Sequence, residues 1–360
     1  MNRSVKETPP GKERAALPSV RERLAPQMAD YDSWGNQMAW RPFIMYFHPP
    51  DLRTASCNTD SFGFRFSADA QGNVARADQW SGKPCNLLLG NSVAFSVGAT
   101  SDVASLAARM SCHSDETWLN FSGRAFAASQ EYLTFLFHRH YVGSIKRIVL
   151  FSGANDLFLY YVPKMFDETF GIFFFSEVFA ERMKPQTDVG RWERVWETMK
   201  PHRFKRHPKK ELPDLDAVIT ERRPTRERAV ALLVHNLENW KMAAAGLGIE
   251  FVYALQPVRS WVQKPWTSEE SELDAELSAI GSRWNTVLAK VMDDEHHHWY
   301  AGRLAEECER LGISFVDMNE AVSTHPRKKE WLFMDYLHLT DAGYDICAQV
   351  LAQYFARSTA

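Results

Sequence analysis

Asn86–Gly98, NLLLGNSVAFSVG, decides how the remainder of the chain is read. Asn86 to Leu89 form a short apolar run, Gly90-Asn91-Ser92 interrupts it, and a helix-compatible segment from Val93 to Met110 follows. A buried strand ending in a small turn can present a serine hydroxyl at the carboxyl edge of a sheet. Where a helix begins at that turn, its first N–H groups face a developing negative charge. Gly-Asn-Ser is equally an ordinary turn, so the reading depends on what other strand ends supply.

Working outward, four more segments have strand character: Thr117–Phe121, Lys146–Ser152, Ile249–Leu255 and Ile313–Val316. Glycines at 246, 248 and 312 close the helices that precede the last two. Apolar-periodic helical stretches lie between, from about Ala125 to His138 and from Thr340 onward, where Ile346, Val350, Leu351 and Tyr354 share a face. Short apolar strands alternating with helices predict a parallel α/β sheet covered on both sides. Sites in such sheets lie at the carboxyl ends of the strands.

Three regions fall outside that rhythm. Residues 1–28 are polar and proline-containing and read as a mobile arm or surface wrap, leaving 29–360 as the domain. Tyr31–Phe66 is aromatic without a helical period, read as irregular chain with one or two edge strands; in it, Arg65 of DSFGFR is structural or reaches an anionic substrate group. About 157–246 reads as a mainly helical insertion. It holds Phe166, Phe170, Phe173, Phe174, Phe175 and Phe179, then the Trp192/Trp196 pair, then a basic loop with Arg203, Lys205, Arg206, Lys209 and Lys210.

A long helix is expected from Thr267 to about Met292, opened by a Thr267/Glu270 capping box and buried through Leu273, Leu277, Ile280, Trp284 and Leu288. The run Asp293-Asp294-Glu295-His296-His297-His298 offers metal-ligating side chains. Adjacent residues on a helix face different ways, however, and no second cluster matches it, so no metal site is expected.

Composition narrows the function classes. A net charge of −3 gives no electrostatic case for nucleic acid or an anionic membrane. Five scattered cysteines without a CxxC pair indicate neither a disulfide framework nor zinc. No run approaches the ~18 apolar residues of a membrane span, and no signal-like apolar core stands near the start, so a cytoplasmic location is expected.

Chemistry collects at the strand ends. Asn120-Phe121-Ser122-Gly123-Arg124 follows the second strand, Ser152-Gly153-Ala154-Asn155-Asp156 the third, and Met334-Asp335-Tyr336-Leu337-His338 precedes the final helix. His338 can serve as base to the Ser92 hydroxyl, and Asp335 can fix the imidazole tautomer. The N–H groups of Ser92 and Gly123 and the Asn155 amide can hold an oxyanion.

In this order, these fragments resemble the SGNH (GDSL-type) hydrolases, whose motif serine, glycine, asparagine and histidine fall on Ser92, Gly123, Asn155 and His338, with Asp335 on the DxxH aspartate. The resemblance covers roughly residues 84–157 and 245–357 and implies a three-layer α/β/α sandwich, flavodoxin-like, on a five-stranded parallel sheet, to which the helical insertion at about 157–246 is an addition without counterpart. It implies a serine esterase acting without metal or cofactor on an acyl ester of a small molecule, a carbohydrate or a carrier. An acyltransferase using the same serine, or a catalytically silent binding protein, are the alternatives. One departure stands out: Asn91 occupies the position of the family's aspartate.

Overall fold

The computed structural model describes residues 18–33, 39–163, 165–167, 170–174, 176, 179, 215–280 and 283–358. At its centre lie β1 Cys85–Gly90, β2 Trp118–Asn120, β3 Ile145–Ser152, β4 Glu250–Leu255 and β5 Ser314–Asp317. Their order is β5-β4-β3-β1-β2, and every neighbouring pair is parallel. All five expected strands are present, with ends shifted by a residue or two. The apolar runs mark them because a strand covered on both faces must be hydrophobic throughout. All six residues of β1 are buried, whereas edge strand β5 is only partly covered.

The helices that form the layers are α1 Leu106–Ser114, α2 Ala128–His138, α3 Ala154–Tyr160, α4 Glu227–Leu247, α5 Ser268–Ile280, α6 Asp294–Leu311 and α7 Asp341–Ser358. Right-handed crossovers send the β1–β2 connection to one face and the later connections to the other, because the strand order reverses beside β1. Accordingly α1 packs on α7, while α4 packs against both α2 and α6. The result is the expected α/β/α sandwich, with its switch point between β1 and β3. No helix among the described residues is long and apolar enough to cross a membrane.

Several local expectations are corrected. Helix does occur before Met110, but none follows Ser92 directly: Ser96 and Gly98 take left-handed backbone angles (φ 67° and 101°), and a 3-10 turn at Asp102–Ala104 precedes the first α-helix after β1, which starts at Leu106. A Cβ on Gly98 would lie 1.7 Å from the Met334 side chain, so this turn is set by tertiary contact. The helical region expected at about 157–246 ends in α4, which lies in a helix layer and buries Leu233, Leu237 and Trp240. Trp192, Trp196, Phe175 and the basic loop lie outside the described residues, and Phe170 is exposed. Of the helix expected over Thr267–Met292, α5 and Arg283–Val291 are helical, residues 281–282 lie outside the described residues, and Ile280 is 65% exposed rather than buried. The capping box is present, with Glu270 N–H donating to Thr267 Oγ1 and Thr267 N–H to the Glu270 carboxylate.

Ahead of the sheet, the chain forms small antiparallel hairpins, Ala39–Arg41 with Met45–Phe47 and Ser67–Ala68 with Val74–Ala75, separate from the main sheet rather than on its edges. Short helices at Val20–Leu24 and Met28–Asp32 wrap the surface. Met28 and Tyr31 join Phe95, Val97 and Met334 in a second apolar cluster over the turns at the carboxyl edge.

Candidate active site

Ser92 stands at the end of β1, two residues past a strand terminus that only glycine fits. Gly90 has φ 147°, and a Cβ there would lie 2.0 Å from the Phe151 carbonyl oxygen. Asn91 is fully buried. Its Oδ1 accepts the Val93 N–H at 3.0 Å, an Asx-type turn, and its amide donates to Gln256 Oε1 beyond β4. Arg65 then braces the far side of the turn. Its buried guanidinium donates to the carbonyls of Phe95, Ser96, Ser56 and Ser101 and to Asp102. With all its nitrogens so engaged, Arg65 is structural.

His338 Nε2 lies 2.9 Å from Ser92 Oγ, and His338 Nδ1 lies 2.7 Å from Asp335 Oδ2. Asp335 Oδ1 accepts the N–H groups of Leu337 and His338, which curls the loop so that the carboxylate backs the His338 ring and the ring reaches Ser92. Burial alone would raise the Asp335 pKa, but the His338 charge and these hydrogen bonds outweigh it and hold the carboxyl well below its usual range. An ionised carboxylate fixes Nδ1 as the protonated nitrogen, which leaves Nε2 free to accept a proton. The loop is anchored from α5, where buried Glu270 accepts the N–H groups of Leu332 and Phe333 and pairs with Lys264.

Asn155 sits in the first turn of α3, after Gly153 at φ 110°. One hydrogen of its amide goes to the Phe126 carbonyl at 2.7 Å, and the second has no partner among the described residues. Gly123 is placed differently from expectation. Its N–H donates to the Gly90 carbonyl at 3.0 Å, so it is not a spare donor. Glycine is needed there because a Cβ would lie 2.2 Å from the Phe126 ring. Two residues on, Ala125 adopts φ 58°, and its N–H, like that of Ser92, has no partner among the described residues. A left-handed alanine costs roughly 1 kcal/mol, and such strain persists where the surroundings enforce it.

His48 is part of that enforcement, and sequence reasoning missed it. It is fully buried, its Nδ1 lies 3.0 Å from the Gly63 carbonyl, and its Nε2 accepts the Arg124 N–H at 3.0 Å. A carbonyl only accepts, so Nδ1 carries the proton. Burial, with the nearby Arg124 charge, pushes its pKa down to about 3. Behind Asn155 lies a pair of buried acids. Asp156, which accepts the Ala128 N–H, is pushed up to about 7 by burial, and Glu131, bonded by the Ser152 hydroxyl, is raised by burial and by Asp156.

No family model and no curated protein sequence matches the chain. Solved structures similar to it include an extracellular lipase from Streptomyces rimosus, at 14% identity and TM-score 0.40 over 75% of this chain and 99% of that one. A phospholipase A1 from Streptomyces albidoflavus NA297 shares 13% identity, TM-score 0.41, over 76% and 99% of the two chains. A GDSL-like lipase from Bacteroides thetaiotaomicron VPI-5482 shares 12% identity, TM-score 0.31, over 76% and 87%. The chemistry is therefore read from this chain's own side chains.

Proposed function

We propose that the chain is a serine hydrolase of the SGNH (GDSL) type that cleaves a carboxylic ester through an acyl-serine. The observation that carries this reading is the unbroken relay Ser92 Oγ–His338 Nε2, His338 Nδ1–Asp335 Oδ2, at 2.9 and 2.7 Å. Ser92 attacks the acyl carbonyl while His338 takes its proton. The tetrahedral oxyanion accepts from the Ser92 and Ala125 N–H groups and the second Asn155 amide hydrogen. The imidazolium then protonates the leaving alcohol, and water, activated by the same histidine, releases the acid.

Asn91, in place of the family's aspartate, is the residue that would permit a silent scaffold. Its Oδ1 holds the Val93 N–H as a carboxylate would, so the substitution leaves the turn intact and favours the enzyme reading. The substrate class we propose is an acyl ester of a small molecule, carbohydrate or carrier.

The test is covalent labelling with a fluorophosphonate followed by intact-mass spectrometry and peptide mapping, beside turnover of p-nitrophenyl esters. One adduct on Ser92 is expected, with turnover lower by about 10⁴–10⁶ in Ser92→Ala. An unlabelled Ser92 in protein that turns esters over, or undiminished turnover in Ser92→Ala, would overturn the assignment.

A further inference from the structure

The acidic–histidine run opening α6 divides its side chains among three surroundings. Asp293 caps the helix by accepting the His296 N–H, and its carboxylate also bonds the buried His296 ring. Glu295 faces Arg223 and Arg226. The remaining three, Asp294, His297 and His298, line a groove of about 630 Å³ at the carboxyl edge of β4 and β5.

Each of those three offers a ligand atom within 4.8 Å of the other two. The neighbouring residues do face different ways, as a helix requires, but spacings of three and four bring Asp294, His297 and His298 together on one side. Further oxygen donors arrive from another element: Asp317 ends β5, and Glu320 follows it in the lining of the groove.

Each imidazole has one nitrogen bonded to the protein, which leaves the other for a ligand. His298 Nδ1 lies 2.8 Å from the Asp294 carbonyl oxygen, so Nδ1 carries the proton and Nε2 keeps its lone pair. His297 Nε2 bonds the Asp317 carboxylate at 2.8 Å, and its ring stacks on Trp261 at 5.1 Å. A carboxylate bonded to the far nitrogen of a histidine is the outer-shell arrangement that fixes ligand orientation and raises basicity. Asp317 is itself held by the Asn319 N–H and amide.

We propose that this groove binds a divalent transition-metal ion, zinc in particular, through Asp294, His297 and His298, with water completing the shell. Two imidazoles and one carboxylate suit zinc and its first-row neighbours, whereas magnesium prefers an all-oxygen octahedron. The site is independent of the hydrolase reading, since none of its residues touches Ser92 or His338.

Isothermal titration calorimetry of the chelator-stripped full chain with zinc chloride tests it, with magnesium chloride as control. Saturable one-to-one zinc binding without a magnesium response is expected. Asp317→Asn should weaken it by about 10–100-fold, and His297→Ala/His298→Ala should abolish it. His298→Ala alone changes an exposed side chain and should weaken binding while leaving the far-ultraviolet circular dichroism unchanged. Absence of saturable binding, or equal affinity in the double variant, which would put zinc elsewhere such as on the exposed Cys112, would overturn the proposal.

Discussion

Two turns flank the Ser92 hydroxyl, and each is held in a left-handed conformation by a buried side chain from the N-terminal hairpin region. The turn after β1, with Ser96 at φ 67°, is gripped by Arg65. The turn after β2, with Ala125 at φ 58°, is gripped by His48. The difference lies in what each anchor offers. Arg65 is a permanent cation whose five N–H donors reach four carbonyls and a carboxylate. His48 acts as a neutral ring with one acceptor and one donor. The first anchor is therefore chiefly a matter of stability, and the second one of geometry at the site and of pH.

The largest effect should come from Arg65. Arg65→Met leaves Asp102 and four carbonyls without their guanidinium, and breaking a buried pair by removing one partner costs about 3–5 kcal/mol. Urea unfolding should show a lower midpoint with the slope unchanged. A variant within about 1 kcal/mol of the parent would mean that the turn holds itself and that the two anchors do not differ in kind.

Next comes His48. His48→Phe keeps the ring and its packing on Phe95 but leaves the Arg124 N–H without its acceptor. Under the proposed hydrolysis, kcat should fall by roughly tenfold or more, bounded by the 10²–10³ lost on deleting an oxyanion donor, while KM changes little. His48→Gln, which restores an acceptor near Nε2, should recover part of the loss.

The pH dependence has a definite sign. The His48 pKa is depressed from 6.5 to about 3 in the fold, so its contribution is fully present above 6.5 and is lost as pH falls toward 3. One proton gives a slope of up to about 1.4 kcal/mol per pH unit. Thermal unfolding measured across that window should be less acid-sensitive in His48→Phe than in the parent. Equal slopes would sink the account of His48 as a buried neutral ring.

The sequence made much of this legible, for reasons that also mark where it stopped. The strands could be read because a doubly covered strand announces itself as an apolar run, and the Ser92, Asn155, Asp335 and His338 segments because each adjoins such a run or a helix start. The absent helix after Ser92 was hidden, since Arg65 and Met334 impose that turn from outside it. Sequence alone leaves Gly123 looking like a free donor because its bond to Gly90 joins two turns that share no sequence signal. His48 was invisible for the same reason, its partners lying 15 and 76 residues away. Asp294, His297 and His298 stand at spacings of three and four in the sequence; what the sequence could not show was Asp317, which β5 brings beside His297.

Asn91 gives the smallest expected effect and the sharpest test of whether the β1 turn depends on its anchors or on its own cap. In Asn91→Asp, one carboxylate oxygen can still accept the Val93 N–H, so the cap survives. The other oxygen would meet Gln256 Oε1, and two acceptors repel. Gln256 Nε2, however, is buried without a partner among the described residues, and rotating the amide about its last bond turns that donor toward the new carboxylate. The exchange trades one hydrogen bond for a charge-assisted one, offset by burying a charge. Ester turnover should stay within about tenfold of the parent, a shift of no more than about 1.4 kcal/mol in the barrier. Adding Gln256→Glu removes the donor and sets two carboxylates together, so the double variant should lose far more than the sum of the single changes. Additive losses would show that Asn91 and Gln256 act independently and that Arg65 alone holds the turn.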